Sequence, residues 1–325
     1  MKEITFVNAL NEALHEEMER DKNIILIGED IGPYGGVFGV TKGLYDKYGF
    51  DRVKQTPISE AAIVGSAVGA AITGLRPVAE IMYLDFITLA MDQVVNQAAK
   101  LYFMSGGQKN VPLVIRAQYG TGTAEAAQHS QCLEAWFSHV PGLKVVMPSN
   151  AFDAKGLLKS SIRDNNPVIF LEHRLLYSKK FNVPDGDWIV EIGKGNINKI
   201  GKDITVVASG IMVERALQAS KELLPEIDVE VIDLRTIYPL DMDLILESIK
   251  KTGKVLVVHE AVTRFGIGAE IVRNIVEFSF DYLDSPPKVL ASLDVPIPYS
   301  YPLEQAVVPQ KNDIVRTIKE MLNKF

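Results

Sequence analysis

Short unbroken apolar runs, each followed by a helix-like stretch, recur along the chain, and this repetition restricts the fold more than any other feature. Asn23-Ile-Ile-Leu-Ile-Gly28, a run ending in glycine, reads as a strand buried on both faces of a parallel sheet. Equivalent runs at Pro77 to Met82, Pro112 to Ile115, Leu143 to Met147 and Pro167 to Leu171 lie between helix-like stretches such as Phe86 to Met104 and Ala151 to Ile162. Ahead of the first run, Thr5 can cap a helix whose apolar side carries Phe6, Leu10, Ala13, Leu14 and Met18. Strands alternating with helices predict an α/β fold whose parallel sheet is covered on both sides.

From Ser178 to Lys202 the pattern weakens into Phe181-Asn-Val-Pro-Asp-Gly-Asp187 and Gly193-Lys-Gly-Asn196. Beyond it the alternation resumes, with Ile204 to Ala208, Val229 to Leu234, Val255 to Val258 and Val289 to Leu293 as strands. Helices are expected over Val213 to Leu224, Met242 to Lys250, Gly268 to Phe278 and Asp313 to Leu322. A chain of 325 residues accommodates two domains at about 150 residues each. The expected division is residues 1–185, a linker at 186–202, and a second, smaller domain at 203–325.

Composition removes several classes of function. With 34 basic and 41 acidic residues the net charge is −7, without a long run of either sign, so no basic face for nucleic acid is expected. Cys132 is the single cysteine and can form neither an internal disulfide nor a cysteine-rich zinc site, which fits a reducing, cytoplasmic setting. No run approaches eighteen apolar residues, and residues 1–6 carry no signal-peptide apolar region, so no membrane span or targeting segment is expected.

The familiar local motifs fail on their spacing. His15-Glu16 and His259-Glu260 lack the second histidine of a helical zinc site, and there is no phosphate-binding glycine loop with Lys-Ser or Lys-Thr. Gly266-Ile-Gly268 has Ile271 where a dinucleotide fingerprint needs glycine, and no serine occupies a nucleophile elbow.

Three polar segments interrupt the alternation. Gln55-Thr-Pro-Ile-Ser-Glu60 enters a helix, Ala61 to Ala71, so poor in bulky side chains that another backbone or a ligand could approach it. Glu60, with Ser59 as cap, can simply stabilise the first turn. If Ile58, Ala61 and Ile63 exclude water, its carboxyl can instead hold a proton near neutral pH. Tyr119-Gly-Thr-Gly-Thr-Ala-Glu-Ala-Ala-Gln-His129-Ser-Gln-Cys132 follows a strand, where parallel sheets place ligand loops. His129 either bonds its own loop or, with its tautomer fixed by Gln128, Ser130 and Gln131, transfers protons. His15 is expected on a solvated helix face, and His139, His173 and His259 at element ends. The third segment, Ser161-Ile-Arg-Asp164-Asn-Asn166-Pro167, has the composition of a turn, and its carbonyls could converge on a hard cation.

These residues carry a family resemblance. Thr56-Pro-Ile-Ser-Glu60, Gly74-Leu-Arg-Pro77, Met104-Ser-Gly-Gly107, Ala127-Gln-His-Ser-Gln131, Pro141-Gly-Leu-Lys-Val145, Asp153-Ala-Lys-Gly-Leu157 and Arg163-Asp-Asn-Asn-Pro167 resemble the beta subunits of thiamine-diphosphate-dependent 2-oxoacid dehydrogenases. Val231-Ile-Asp-Leu-Arg-Thr236 and Asp294-Val-Pro-Ile-Pro298 extend the similarity over nearly the whole chain. The resemblance implies a transketolase-like pyrimidine-binding domain followed by a transketolase C-terminal domain. It also implies thiamine diphosphate shared with an alpha subunit in an α2β2 heterotetramer, and a lipoyl acyltransferase core as partner. The family's Gly-Asp-Gly motif for diphosphate and magnesium is missing, since Trp188 follows Gly186-Asp187, so Mg2+ is expected on the alpha subunit.

Carried over residue by residue, the resemblance makes Glu60 the acid on the aminopyrimidine nitrogen and gives Ile58, Met82 and Phe86 the pyrimidine wall. His129 becomes the residue that steers the substrate or lipoyl group. Leu113, Ser161, Asp164 and Asn166 match positions whose main-chain oxygens hold K+ in some members. Pyruvate is the leading 2-oxoacid, with branched-chain 2-oxoacids or acetoin as alternatives. A non-catalytic scaffold subunit and a nicotinamide-dependent dehydrogenase are the rivals from other classes.

Overall fold

The computed structural model describes residues 1–322; residues 323–325, the end of the expected C-terminal domain, lie outside the described residues. Contacts gather the chain into two compact units, Met1–Tyr119 with Trp136–Ile192, and Gly120–Ala135 with Gly193–Phe325.

In the first unit the strands lie in the order Val53–Thr56, Ile24–Glu29, Arg76–Tyr83, Val114–Tyr119, Val168–His173, Lys144–Val146, all parallel. The continuous apolar runs are buried on both faces, as parallel strands between helices require. Thr5 caps the helix Phe6–Arg20 by accepting from the Asn8 amide, and that helix packs on the helix Ala151–Arg163. Beside them a short antiparallel pair, Lys2–Thr5 with Lys180–Val183, occupies part of the stretch expected to be irregular.

Two elements depart from expectation for identifiable reasons. The run ending at Ile115 understates its strand, which begins after Pro112 and continues to Tyr119 through the buried polar residues Arg116 and Gln118. Arg116 stays in the sheet because its guanidinium forks onto Glu172, with Nε to Oε1 at 2.7 Å and Nη2 to Oε2 at 2.8 Å, while Nη1 reaches Glu80 at 2.6 Å. The stretch Phe86 to Met104 is not one helix. It divides into a 3₁₀ segment Leu84–Ala90, a π segment Gln93–Ala98 and a short helix Leu101–Met104. Thr88 returns its hydroxyl to the Asp85 carbonyl at 2.7 Å, and the β-branched Ile87, Thr88, Val94 and Val95 weaken a regular helix.

In the second unit the strand order is Lys288–Ser292, Val255–Val262, Ile204–Ala208, Val229–Asp233, Asn196–Lys199. The first four are parallel, and the polar edge strand Asn196–Lys199 is antiparallel. Helices Ile211–Leu223, Met242–Thr252, Ile267–Ser279 and Lys311–Met321 fall where the periodicity predicts them, and a short helix Tyr301–Val307 is added. His259 lies within the strand Val255–Val262, not at an element end.

Candidate active site

Parallel strands all present their carboxyl ends at one edge, and there the first unit collects its chemistry. Glu29 ends one strand opposite Thr56, which ends the next, and Pro57-Ile-Ser59 then lead to Glu60, the first residue of the helix Glu60–Ile72. An acid at that position faces the positive end of the helix dipole. Ser59 stands at the N-cap with φ −168° and ψ 84°, but its side chain makes no capping bond, contrary to expectation. Of the apolar neighbours expected to exclude water, only Ile63 is buried; Ile58 is 73% exposed, Ala61 is exposed, and Glu60 itself is half-buried.

Sequence reasoning missed Glu29. Burial pushes its carboxyl above the usual range, and the nearby charges of Asp30 and Glu60 add to the shift, so three acids lie close together at this edge. Asp30 is held at φ 55°, and the Thr56 hydroxyl is buried with no hydrogen-bond partner among the described residues. A legible signal was present, since a carboxylate directly ending a fully buried parallel strand points at the ligand edge.

The strand Arg76–Tyr83 brings Met82 to the same edge, and the 3₁₀ segment behind it brings Phe86; both are half-buried. Phe86 meets Tyr83 edge-on with ring centres 5.4 Å apart, and Phe38 stands 6.2 Å from Tyr83 and 5.5 Å from Tyr177. Arg174 lies over Tyr83 at 5.3 Å. At the end of the neighbouring strand, both polar atoms of the Gln118 amide are buried and have no hydrogen-bond partner among the described residues. Ile58, Glu60, Met82 and Phe86 are thus gathered at one edge of one sheet, with an aromatic wall and with polar groups left unsatisfied among the described residues.

The candidate cation residues occupy the opposite, amino-terminal edge of that sheet. The Leu113 carbonyl accepts from the Val168 amide at 2.8 Å, Ser161 closes the helix Ala151–Arg163, and Asp164 caps it. The Asp164 carboxylate takes the Lys144 ammonium, the Asn166 amide at 2.8 Å and Asn166 Nδ2 at 2.9 Å. Burial opposes its ionisation, yet these partners outweigh burial and hold it below the usual carboxylate range. Arg76 donates to the Ile162 carbonyl at 2.9 Å and to the Asp164 carbonyl at 2.5 Å. The turn is therefore already neutralised by two side-chain cations; a carbonyl has two lone pairs, so a bound ion remains compatible with it. Among the described residues no group of three or more His, Cys, Asp or Glu side chains gathers as a metal ion would need.

His129 lies in the second unit, on the loop that leaves the strand Val114–Tyr119. It is half-buried, and its amide donates to the Ala126 carbonyl at 3.4 Å. Ser130 does not fix its ring, because the Ser130 hydroxyl is buried with no hydrogen-bond partner among the described residues. Farther along, the Cys132 thiol donates to Glu134 Oε2 at 2.9 Å, and burial together with the Glu134 and Glu260 charges pushes the thiol up. Cys132 is therefore a poor nucleophile.

Residues 2–180 match the model of the transketolase pyrimidine-binding domain, and residues 193–314 match that of the transketolase C-terminal domain. A pyruvate dehydrogenase E1 component subunit beta of Rhizobium meliloti is 46% identical over 100% of this chain and 71% of its own length. The mitochondrial beta-1 subunit of that component from Oryza sativa subsp. japonica is 50% identical over 98% of this chain and 86% of its own. The beta subunit of an acetoin:2,6-dichlorophenolindophenol oxidoreductase of Cupriavidus necator is 46% identical over 97% of this chain and 96% of its own. Among solved structures, a split-gene transketolase described as an inactive beta4 tetramer has a TM-score of 0.81 at 24% identity, covering 98% of each chain, a likeness of fold.

Proposed function

The chain belongs to the family of pyruvate dehydrogenase E1 beta subunits and their acetoin-oxidising relatives, and on that premise we propose that it is the beta half of an α2β2 E1 component acting on a 2-oxoacid, pyruvate first. The acyl group passes to lipoamide on an acyltransferase core. The subunit is assigned to the cytoplasm. Thiamine diphosphate, when bound, supplies a nucleophilic carbon that attacks the substrate carbonyl and carries the negative charge left by loss of carbon dioxide.

Glu60 holds a proton at the aminopyrimidine ring nitrogen, a position suited to a helix-terminal acid at the ligand edge of a parallel sheet. Glu29 stands close enough to Glu60 that burial, with the charges of Asp30 and Glu60, pushes the Glu29 carboxyl above the usual range. Met82 and Phe86 pack against the pyrimidine, and Ile58 completes that wall once the alpha subunit covers it. His129 orients the substrate or lipoyl group as hydrogen-bond partner or proton donor. The diphosphate and Mg2+ are held by the alpha subunit. K+ is assigned to the main-chain oxygens of Leu113, Ser161, Asp164 and Asn166. Replacing K+ with Na+ should then lower the melting temperature of the complex, and an unchanged value removes the ion.

One observation carries the reading: Glu60 heads its helix at the edge that also holds Glu29, Met82 and Phe86. In the assembled complex, Glu60→Ala should reduce decarboxylation with an artificial electron acceptor by about 100-fold or more, while the cofactor still binds. Wild-type turnover in that variant sinks the mechanism and favours the scaffold reading. A panel of pyruvate, branched-chain 2-oxoacids and acetoin decides the substrate, since the Cupriavidus necator relative gives acetoin specific support.

A further inference from the structure

Resting on the assignment of His129 above, we infer that Glu260 and Glu304 are positioning residues that pin the loop carrying it. Thr121 donates to Glu260 Oε1 twice, from its amide and from its hydroxyl, each at 2.7 Å. The next amide, Gly122, donates to Glu304 Oε1 at 2.8 Å, and Ala124 donates to Glu304 Oε2 at 3.3 Å. Two carboxylates from different elements, the strand Val255–Val262 and the helix Tyr301–Val307, thus hold three amides within four residues of loop.

The use of charge is what separates this clamp from ordinary packing. Glu304 is 0% exposed, and among the described residues its carboxylate meets only those two amides. A buried carboxylate with no cation beside it is costly, and an apolar side chain would fill the space at lower cost. The charge is spent instead on backbone donors, which bond an ionised acceptor more strongly than a neutral one. Glu260 is itself anchored, because Ser292 donates its hydroxyl to the Glu260 carbonyl at the point where the register between their strands shifts.

The loop needs such an anchor. Gly120, Gly122, Ala124 and Ala126 have φ of 97°, 111°, 57° and 61°, and the two alanines occupy a region that L side chains rarely adopt. The strained path ends in the turn that joins the Ala126 carbonyl to the His129 amide. Holding residues 121–124 therefore sets where the imidazole is presented, and a catalytic group displaced by an ångström loses much of its rate.

The test uses the assembled α2β2 complex and compares reductive acylation of a lipoyl domain with backbone amide hydrogen exchange across residues 120–129. Glu304→Ala should slow acylation about tenfold or more, leave KM for the 2-oxoacid within about twofold, and speed exchange in that loop. Glu260→Gln, which keeps an acceptor oxygen for Thr121, should retain most activity where Glu260→Ala does not. Combined with His129→Ala, Glu304→Ala should add no further loss. Additive losses, or a loosened loop with wild-type acylation, overturn the clamp while leaving the role of His129 intact. Wild-type acylation by His129→Ala alone overturns the assignment on which the clamp rests, even where exchange still reports the anchoring.

Discussion

His259 shows how much one side chain can depend on what its neighbours lack. It is 1% exposed, and its ring lies against the start of the helix Ile267–Ser279. A Cβ on Gly266 would fall 2.5 Å from its Cε1, and one on Gly268 would fall 2.9 Å from its Nε2, so the glycines that failed as a dinucleotide motif make room for an imidazole. Burial lowers its pKa to about 4 against a marginal backbone contact at Ala261. Below pH 6.5 the unfolded chain therefore takes up a proton that the folded chain refuses until about pH 4. Stability is full above pH 6.5 and falls by about 3 kcal/mol as the pH drops through that window. His259→Gln should flatten the dependence of the urea midpoint on pH between 7 and 4.5; an unaltered slope would refute this account. Glu60 stands out in the sequence because Pro-Ile-Ser and a helix of small residues isolate it. Glu29 is overlooked although its position carries a signal, because an acid closing an apolar run reads first as the end of that run.

At the scale of elements, legibility followed apolar continuity and failed where polar groups were buried in networks. The strand Ile204–Ala208 is uniformly buried and apolar but for Thr205, and its bounds were read correctly. The strand Val114–Tyr119 extends past the apolar run because Arg116, which looks like a surface residue, is matched by Glu80 and Glu172 in the adjacent strands. That pairing comes from strand order, which local sequence does not encode. Arg116→Met should consequently destabilise the first unit by about 3–5 kcal/mol, because it removes the cation from the buried Glu172, which keeps only the Tyr177 hydroxyl among these partners, and from the half-buried Glu80. Both tryptophans, Trp136 and Trp188, belong to that unit, so their fluorescence during urea unfolding reads it directly. Replacing Arg116, Glu80 and Glu172 together by apolar residues should recover most of the loss. A triple variant less stable than the single one would show that the network contributes more than mutual neutralisation.

For the whole molecule, the sequence revealed two α/β units and the family, and the unmet requirements of the site point outward from this chain. Ile58 cannot exclude water from Glu60 while it is 73% exposed. The 3₁₀ segment packed on the Glu60 helix leaves Leu89 65% exposed, and the short helix packed on the neighbouring π segment leaves Phe103 at 86% and Met104 at 62%. Large apolar groups left in water mark an interaction surface, and the partner that the family supplies is an alpha subunit. The exposed short helix Leu101–Met104 carries Phe103 without burying any of its own side chains, so the substitution Phe103→Glu leaves the core of this chain untouched. It should leave the melting temperature of the isolated chain within about 1 °C. Binding to the alpha subunit, followed by titration calorimetry, should weaken about tenfold or more, because a charge must then be desolvated in the contact. Thiamine diphosphate affinity of the mixture should fall in parallel. An undiminished association would place the partner elsewhere and leave the exposure of Ile58 without a remedy, which would count against a proton held at Glu60.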